Sequence, residues 1–113
     1  MKRALVVDDD PDIAALITKL LVAEGYAVET AANFAAAKLR MSQPKEVLIV
    51  DVRLKEFNGL QLAIQARSND ATMHIVVMSG WDDPVQRAEA TSIGAVFLLK
   101  PFDRQQLLRA VGE

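Results

Sequence analysis

The sequence contains no cysteine, so disulfides and thiolate metal sites are excluded. Its single histidine, His74, cannot build a histidine-rich zinc centre. A basic excess is missing too: 13 Lys and Arg against 15 Asp and Glu give a net charge of -2, which argues against broad nucleic-acid binding. Behind Met1-Lys2-Arg3 only four apolar residues precede three aspartates, too short a run for a signal peptide or a membrane span. A cytoplasmic protein is expected. No glycine-rich phosphate loop follows that first apolar run, which counts against nucleotide binding. Internal repeats, linkers and low-complexity stretches are absent as well. What remains fits one globular domain of 113 residues, with 51% hydrophobic and 25% charged residues. A chain of that size buries roughly two-thirds of its unfolded surface and needs no staple.

The most informative stretch is Val47-Leu48-Ile49-Val50-Asp51, four apolar residues running without interruption into a carboxylate. Such a run suits a central parallel strand covered on both faces by helices. Its acid then falls at the carboxyl end, where open α/β sheets place their ligand crevices. Asp51 is thus the candidate reactive residue.

Four further runs read as strands: Arg3-Ala4-Leu5-Val6-Val7, the weaker Ala27 to Ala31 nearer a sheet edge, His74 to Met78, and Val96 to Leu99. Helices alternate with them. Asp10 and Pro11 suit an N-cap and first helical position, Ile13, Leu16, Ile17, Leu20 and Leu21 recur at helical spacing, and Gly25 closes the segment. Asn33 caps a helix through about Met41, with Phe34, Ala37 and Met41 inward. After Asp51 comes a loop, Arg53 to Phe57, then Asn58-Gly59 and a helix with Leu60, Ala63 and Ile64 on one face. Asp82 and Asp83 precede Pro84, which opens a helix ending at Gly94. Asp103 caps a last, short helix, with Phe102, Leu107, Leu108 and Val111 facing the core. Five strands alternating with five helices predict a doubly wound parallel sheet with right-handed crossovers. The polar residues ending strands one, three, four and five favour the order 2-1-3-4-5, which makes strands one and three neighbours at the switch point.

In that order Asp8, Asp9 and Asp51 converge at one sheet edge. Three carboxylates this close repel unless a cation sits among them, and oxygen ligands suit magnesium, with manganese as a substitute. Ser79, followed by Gly80, offers a hydroxyl at the end of strand four, and Lys100 offers an ammonium at the end of strand five. An anion site beside a metal, with an aspartate as nucleophile, can accept a phosphoryl group.

Five pieces in order, Leu5-Val6-Val7-Asp8-Asp9, Leu48-Ile49-Val50-Asp51, Asn58-Gly59-Leu60, Met78-Ser79-Gly80, and Gly94-Ala95 leading through Phe97 to Lys100-Pro101-Phe102, resemble the receiver domains of two-component response regulators. The resemblance covers the whole chain, residues 1–113, as one flavodoxin-like receiver unit, free-standing or cut from a longer regulator or hybrid kinase. It implies a phosphorelay switch in which Asp51 is phosphorylated by a sensor histidine kinase or histidine phosphotransfer protein. Asp9 would bind Mg2+ directly and Asp8 largely through water, with the Arg53 backbone carbonyl as a further ligand. Ser79 would contact the phosphoryl group, Lys100 would pair with the acyl phosphate, and Phe97 would turn inward as Ser79 moves. The resemblance also implies a cis Lys100-Pro101 bond and a homodimer through helix four, strand five and helix five. Catalysis in such a domain amounts at most to self-phosphorylation from a phosphodonor and autodephosphorylation.

Three positions depart from the family pattern or vary within it. Lys55 stands where proline is usual, which predicts a looser loop after Asp51. Arg53 and Trp81 each lie two residues beyond a site residue, at positions the family uses to tune phosphoryl lifetime, and both are bulky enough to hinder attacking water. Asp10 and Asp12 read as helix-cap and dipole residues, and His74 as a surface residue at a strand start. Two other functions compete with the switch. A phosphatase-like hydrolase would carry a second acid where this chain has Arg53, and 113 residues leave little room for a substrate cap. A pseudo-receiver would bind partners without phosphorylation.

Overall fold

Alternating apolar runs and capped helices produce a five-stranded parallel sheet with helices on both faces. The computed structural model describes residues 1–55 and 57–113. The main strands are β1 (Arg3–Val7), β2 (Ala27–Ala31), β3 (Val47–Asp51), β4 (His74–Ser79) and β5 (Val96–Leu99). They lie in the order β2-β1-β3-β4-β5, and every neighbouring pair is parallel. The order is the one expected from the polar strand ends. The helices are α1 (Pro11–Ala23), α2 (Phe34–Arg40), α3 (Gly59–Asn69), α4 (Pro84–Ser92) and α5 (Arg104–Ala110).

Side chains alternate across each strand, so the sheet serves two cores. Leu5, Val7, Leu48, Val50, Ile75 and Val77 meet α2, α3 and α4 on one face. Ala4, Val6, Val47, Ile49, Val76 and Met78 meet α1 and α5 on the other. Every residue of β3 is buried, as a central strand requires, whereas β2 is mostly exposed at the edge. Each fully buried Leu, Ile or Val contributes roughly 1.5–3 kcal/mol, so β3 is a stiff platform for the acid at its end.

The caps follow the sequence closely. Asp10, Asn33, Asp83 and Asp103 each accept backbone N–H groups at the start of a helix, and Asp103 forms a reciprocal capping box with Gln106. Gly25 and Gly94, with φ of 92° and 69°, follow α1 and α4 in the left-handed conformation that glycine tolerates. Two residues expected on inward faces point out instead. Leu16 is 47% exposed and Ile64 46% exposed. At 100° per residue, Leu16 lies about 130° from the centre of the Ala14, Ile17 and Leu21 stripe. The buried residues of α3 are Gly59, Leu60, Leu62, Ala63 and Ala66, and Ile64 lies about 130° from the centre of that set, beyond Leu60 at its edge.

The stretch expected as a plain loop after β3 contains a short ribbon, in which Arg53–Leu54 pairs antiparallel with Phe57–Asn58. Glu56, within that stretch, lies outside the described residues. Leu54 is buried, Lys55 has a φ of 48°, and Phe57 stacks on Phe34 of α2 with ring centroids 5.0 Å apart. Gly59 then starts α3 against the end of β3. Its N–H donates to the Val52 carbonyl at 2.7 Å, and a Cβ there would collide with the Asp51 carbonyl oxygen. Only glycine allows that approach.

Candidate functional site

Backbone hydrogen bonds carry the ladders past the strand ends and hold the polar residues that follow. The Asp8 N–H donates to Ala31 O at 3.1 Å, the Val52 N–H to Met78 O at 2.9 Å, and the Lys100 N–H to Ser79 O at 2.8 Å. The carboxyl ends of β1, β3 and β5 therefore share a cleft of about 770 Å³, lined by Asp8, Asp9, Asp51, Arg53, Gln86 and Lys100 among others. Asp8 is 2% exposed and Asp51 8%. One oxygen from each of Asp8, Asp9 and Asp51 lies within 4.8 Å of the other two.

Lys100 bridges two of these acids. Its Nζ donates to Asp51 Oδ2 at 2.7 Å and to Asp8 Oδ2 at 3.0 Å. Asp51 Oδ1 accepts the Arg53 N–H at 3.0 Å, and Asp8 Oδ1 accepts the Asp10 N–H at 2.9 Å. Burial pushes the Asp8 carboxyl above the usual carboxylate value, against the pull of the Asp10 amide and Lys100. Burial lowers Lys100, but its bonds to Asp51 and Asp8 outweigh that and hold the ammonium above its usual value. One cation thus stays charged between two acids and does not fully compensate the more buried one. No cation is paired with Asp9 among the described residues. A site of oxygen donors short of positive charge suits a hard divalent ion.

Ser79 ends β4 nearly buried. Its hydroxyl donates to Gln86 Oε1 at 3.2 Å and its Oγ accepts the Trp81 N–H at 3.1 Å. The Trp81 indole is 63% exposed, and the Arg53 guanidinium carbon lies 5.7 Å from its ring centroid. Phe97, partly buried in β5, packs against the core on the α4 face, and the Arg87 guanidinium carbon lies 4.7 Å from its ring. Arg87 is held in turn by Asp82 Oδ1, at 3.0 Å from Nε and 2.8 Å from Nη2.

Every residue singled out for chemistry is therefore at this end of the sheet. The family model of the response regulator receiver domain matches residues 4–112. The chain belongs to that family. Asp10 and Asp83 act as caps, and His74 is exposed at the far end of β4, in line with the sequence reading of each. The Lys100-Pro101 bond is cis, as the family resemblance implies.

Among curated relatives, the acid tolerance regulatory protein ActR of Rhizobium meliloti is 33% identical over 115 residues, covering 97% of this receiver and 58% of ActR. The chain spans only part of such relatives, from 25% of GlrR of Escherichia coli to 61% of RegA of Cereibacter sphaeroides. A response regulator from Burkholderia pseudomallei, solved with a phosphorylated aspartic acid, calcium ion and citrate, is 30% identical with a TM-score of 0.89, covering 98% of this chain and 66% of that one. The Thermotoga maritima response regulator TrrA, solved with Mg(2+)-BeF, is 27% identical with a TM-score of 0.84, covering 96% and 95%. Receiver domains are signalling modules of two-component systems rather than ordinary enzymes, and Mg2+ and phosphorylation are typical of them. No described helix is long and apolar enough to cross a membrane.

Sequence reasoning missed two residues of this region, Gln86 and Arg87. A signal for the first was available. Asp83 as N-cap and Pro84 at the first helical position place Gln86 at the third, where glutamine side chains turn back toward the helix start. Here that side chain reaches Ser79 instead.

Proposed function

We propose that this receiver is a phosphorylation-controlled switch in which Asp51 accepts a phosphoryl group from a phosphohistidine of a sensor kinase or phosphotransfer protein. The observation that carries the reading is the Lys100 bridge between Asp51 and Asp8, beside a third carboxylate on Asp9. Asp8, Asp9, Asp51 and the Arg53 backbone carbonyl would hold Mg2+, or Mn2+ in its place. When bound, the ion supplies charge neutralisation for the carboxylates and the incoming phosphoryl oxygens.

The chain's own groups do the remaining work. One Asp51 oxygen attacks phosphorus, the nitrogen–phosphorus bond of the donor breaks, and the imidazole leaves with a proton drawn from solvent. Lys100 already points at the acceptor carboxylate and follows the added charge onto the phosphoryl oxygens. The Arg53 N–H is aimed at the same group. Ser79 then donates its hydroxyl to a phosphoryl oxygen, and Phe97 responds on the neighbouring strand. This is a switch only because the phosphoryl group interacts differently with the two arrangements of Ser79.

Arg53 stacked on Trp81 at the mouth of the cleft supports slow dephosphorylation, because both would hinder an in-line water. Exposed Val85 and Val96 on the α4-β5-α5 face support a homodimer through that face. Residues 1–113 act as one receiver unit, free-standing or within a longer regulator or hybrid kinase.

The deciding experiment is intact mass after incubation with acetyl phosphate and Mg2+. A single phosphoryl adduct on the natural chain, absent from Asp51→Asn, is the expected result. No adduct from acetyl phosphate or from a phosphorylated histidine donor would replace this reading with that of a pseudo-receiver. An adduct lost within seconds would overturn slow dephosphorylation alone.

A further inference from the structure

We infer that Gln86 is a positioning residue that opposes activation by holding the one proton Ser79 has to give. The inference rests on the phosphorylation reading above and deepens it. A serine hydroxyl carries one donor and two acceptor sites. In this state the donor is committed to Gln86 Oε1 at 3.2 Å, and one acceptor site is taken by the Trp81 N–H at 3.1 Å. A phosphoryl oxygen on Asp51 can recruit Ser79 only by taking the proton from Gln86. The two bonds are therefore mutually exclusive.

Geometry makes Gln86 suited to this role. It sits in the first turn of α4, which Asp83 caps through the Val85 and Gln86 N–H groups. It also lines the same cleft as Asp8, Asp51 and Lys100. The next residue, Arg87, packs on Phe97. Successive residues of one helical turn thus touch Ser79 and Phe97. Loss of the Gln86 bond would release the start of α4 at the moment Ser79 moves, which is how chemistry at Asp51 would reach that helix.

The energetic cost of breaking one net hydrogen bond corresponds to a factor of about two to ten in an equilibrium constant. Removing the acceptor therefore tightens binding of a phosphoryl mimic by that factor, because the natural chain loses the bond on binding. The probe is beryllium fluoride with Mg2+, its binding to Asp51 followed by the 19F resonance of the bound group. Gln86→Leu is expected to bind it about two- to tenfold more tightly than the natural chain. In the Ser79→Ala background, where there is no proton to hold, the same change is expected to alter affinity by less than about 1.5-fold. A merely structural Gln86 would leave affinity unchanged or weaken it in both backgrounds. Equal affinities of Gln86→Leu and the natural chain, weaker binding, or equal tightening in both backgrounds would each overturn the inference. Failure of the natural chain to bind the mimic at all would overturn the phosphorylation reading instead, so the two failures are distinct.

Discussion

Gly59 shows how little freedom a single residue near Asp51 has. Any side chain there drives its Cβ into the Asp51 carbonyl, so the end of β3 or the start of α3 must shift. Gly59→Ala is expected to cost about 1–3 kcal/mol in urea denaturation, the usual range for overpacking, and to lower the yield of phosphoryl adduct. The Arg87–Phe97 contact is more modest, since Arg87 is about half exposed. A double-mutant cycle of Arg87→Ala with Phe97→Leu is expected to give a coupling of about 0.5–1 kcal/mol. A coupling near zero would show that Arg87 merely lies beside the ring. At this scale the legibility of the sequence was uneven. Asp8, Asp9, Asp51, Ser79 and Lys100 stand directly after strand-like runs, so pattern alone placed them at one edge. Gln86 and Arg87 reach their partners across a loop, and no periodicity records which way such side chains turn.

Elements are held together by residues whose partners are distant in the chain. Arg67, near the end of α3, donates from Nε to Ile93 O at 2.7 Å, from Nη1 to Ala71 O at 3.0 Å, and from Nη2 to Gly94 O at 3.4 Å. It ties the end of α3 to the end of α4. Arg67→Ala is expected to cost about 1–3 kcal/mol, the scale of hydrogen bonds from a charged donor, read from the urea midpoint at constant slope. Nothing in the sequence distinguishes Arg67 from a solvated basic residue in a last helical turn, because the two partners that tie it to α4 are 26 and 27 residues away. Strands and caps were legible because their signals are local. The inward faces of α1 and α3 were less so: Ile64 and Leu16 are as apolar as their buried neighbours, and a rotation of one residue decides between them. In the stretch after Asp51, Phe57 stacks on Phe34 and Leu54 is buried, contacts that proline usage alone does not reveal.

The molecule as a whole responds to pH through groups outside the cleft as well as inside it. The Arg3 N–H holds the Glu46 carboxyl below its usual value, and the Thr72 hydroxyl and amide do the same for Asp70. Folded values lower than unfolded ones mean stability that is complete above the ordinary carboxylate range and is lost as pH falls through the folded values. Asp8 has the opposite sign, since burial raises it, so its protonation on acidification offsets part of that loss. At the alkaline end, burial and nearby Glu113 raise Tyr26, whose contribution is complete below the ordinary phenol value and fades as pH rises through the raised one. Urea midpoints should therefore fall steadily on acidification below the carboxylate range and again at strongly alkaline pH. A midpoint that rose as pH fell below the ordinary carboxylate range, where Asp8 is already protonated, would contradict these assignments.

The Lys100 bridge has a further consequence, for traffic into the cleft. Around the Lys100 ammonium, Asp8, Asp9 and Asp51 make the floor of the cleft a negative lens that draws in divalent ions and turns away phosphate esters, while Arg53, Lys55 and Asp10 also line the cleft. Without a divalent ion, an anionic donor must climb a barrier that added simple salt flattens. With one bound, the lens weakens or reverses and the same salt offers less help. On the phosphorylation reading proposed above, the field at the floor of the cleft would favour loading in sequence, cation before phosphodonor.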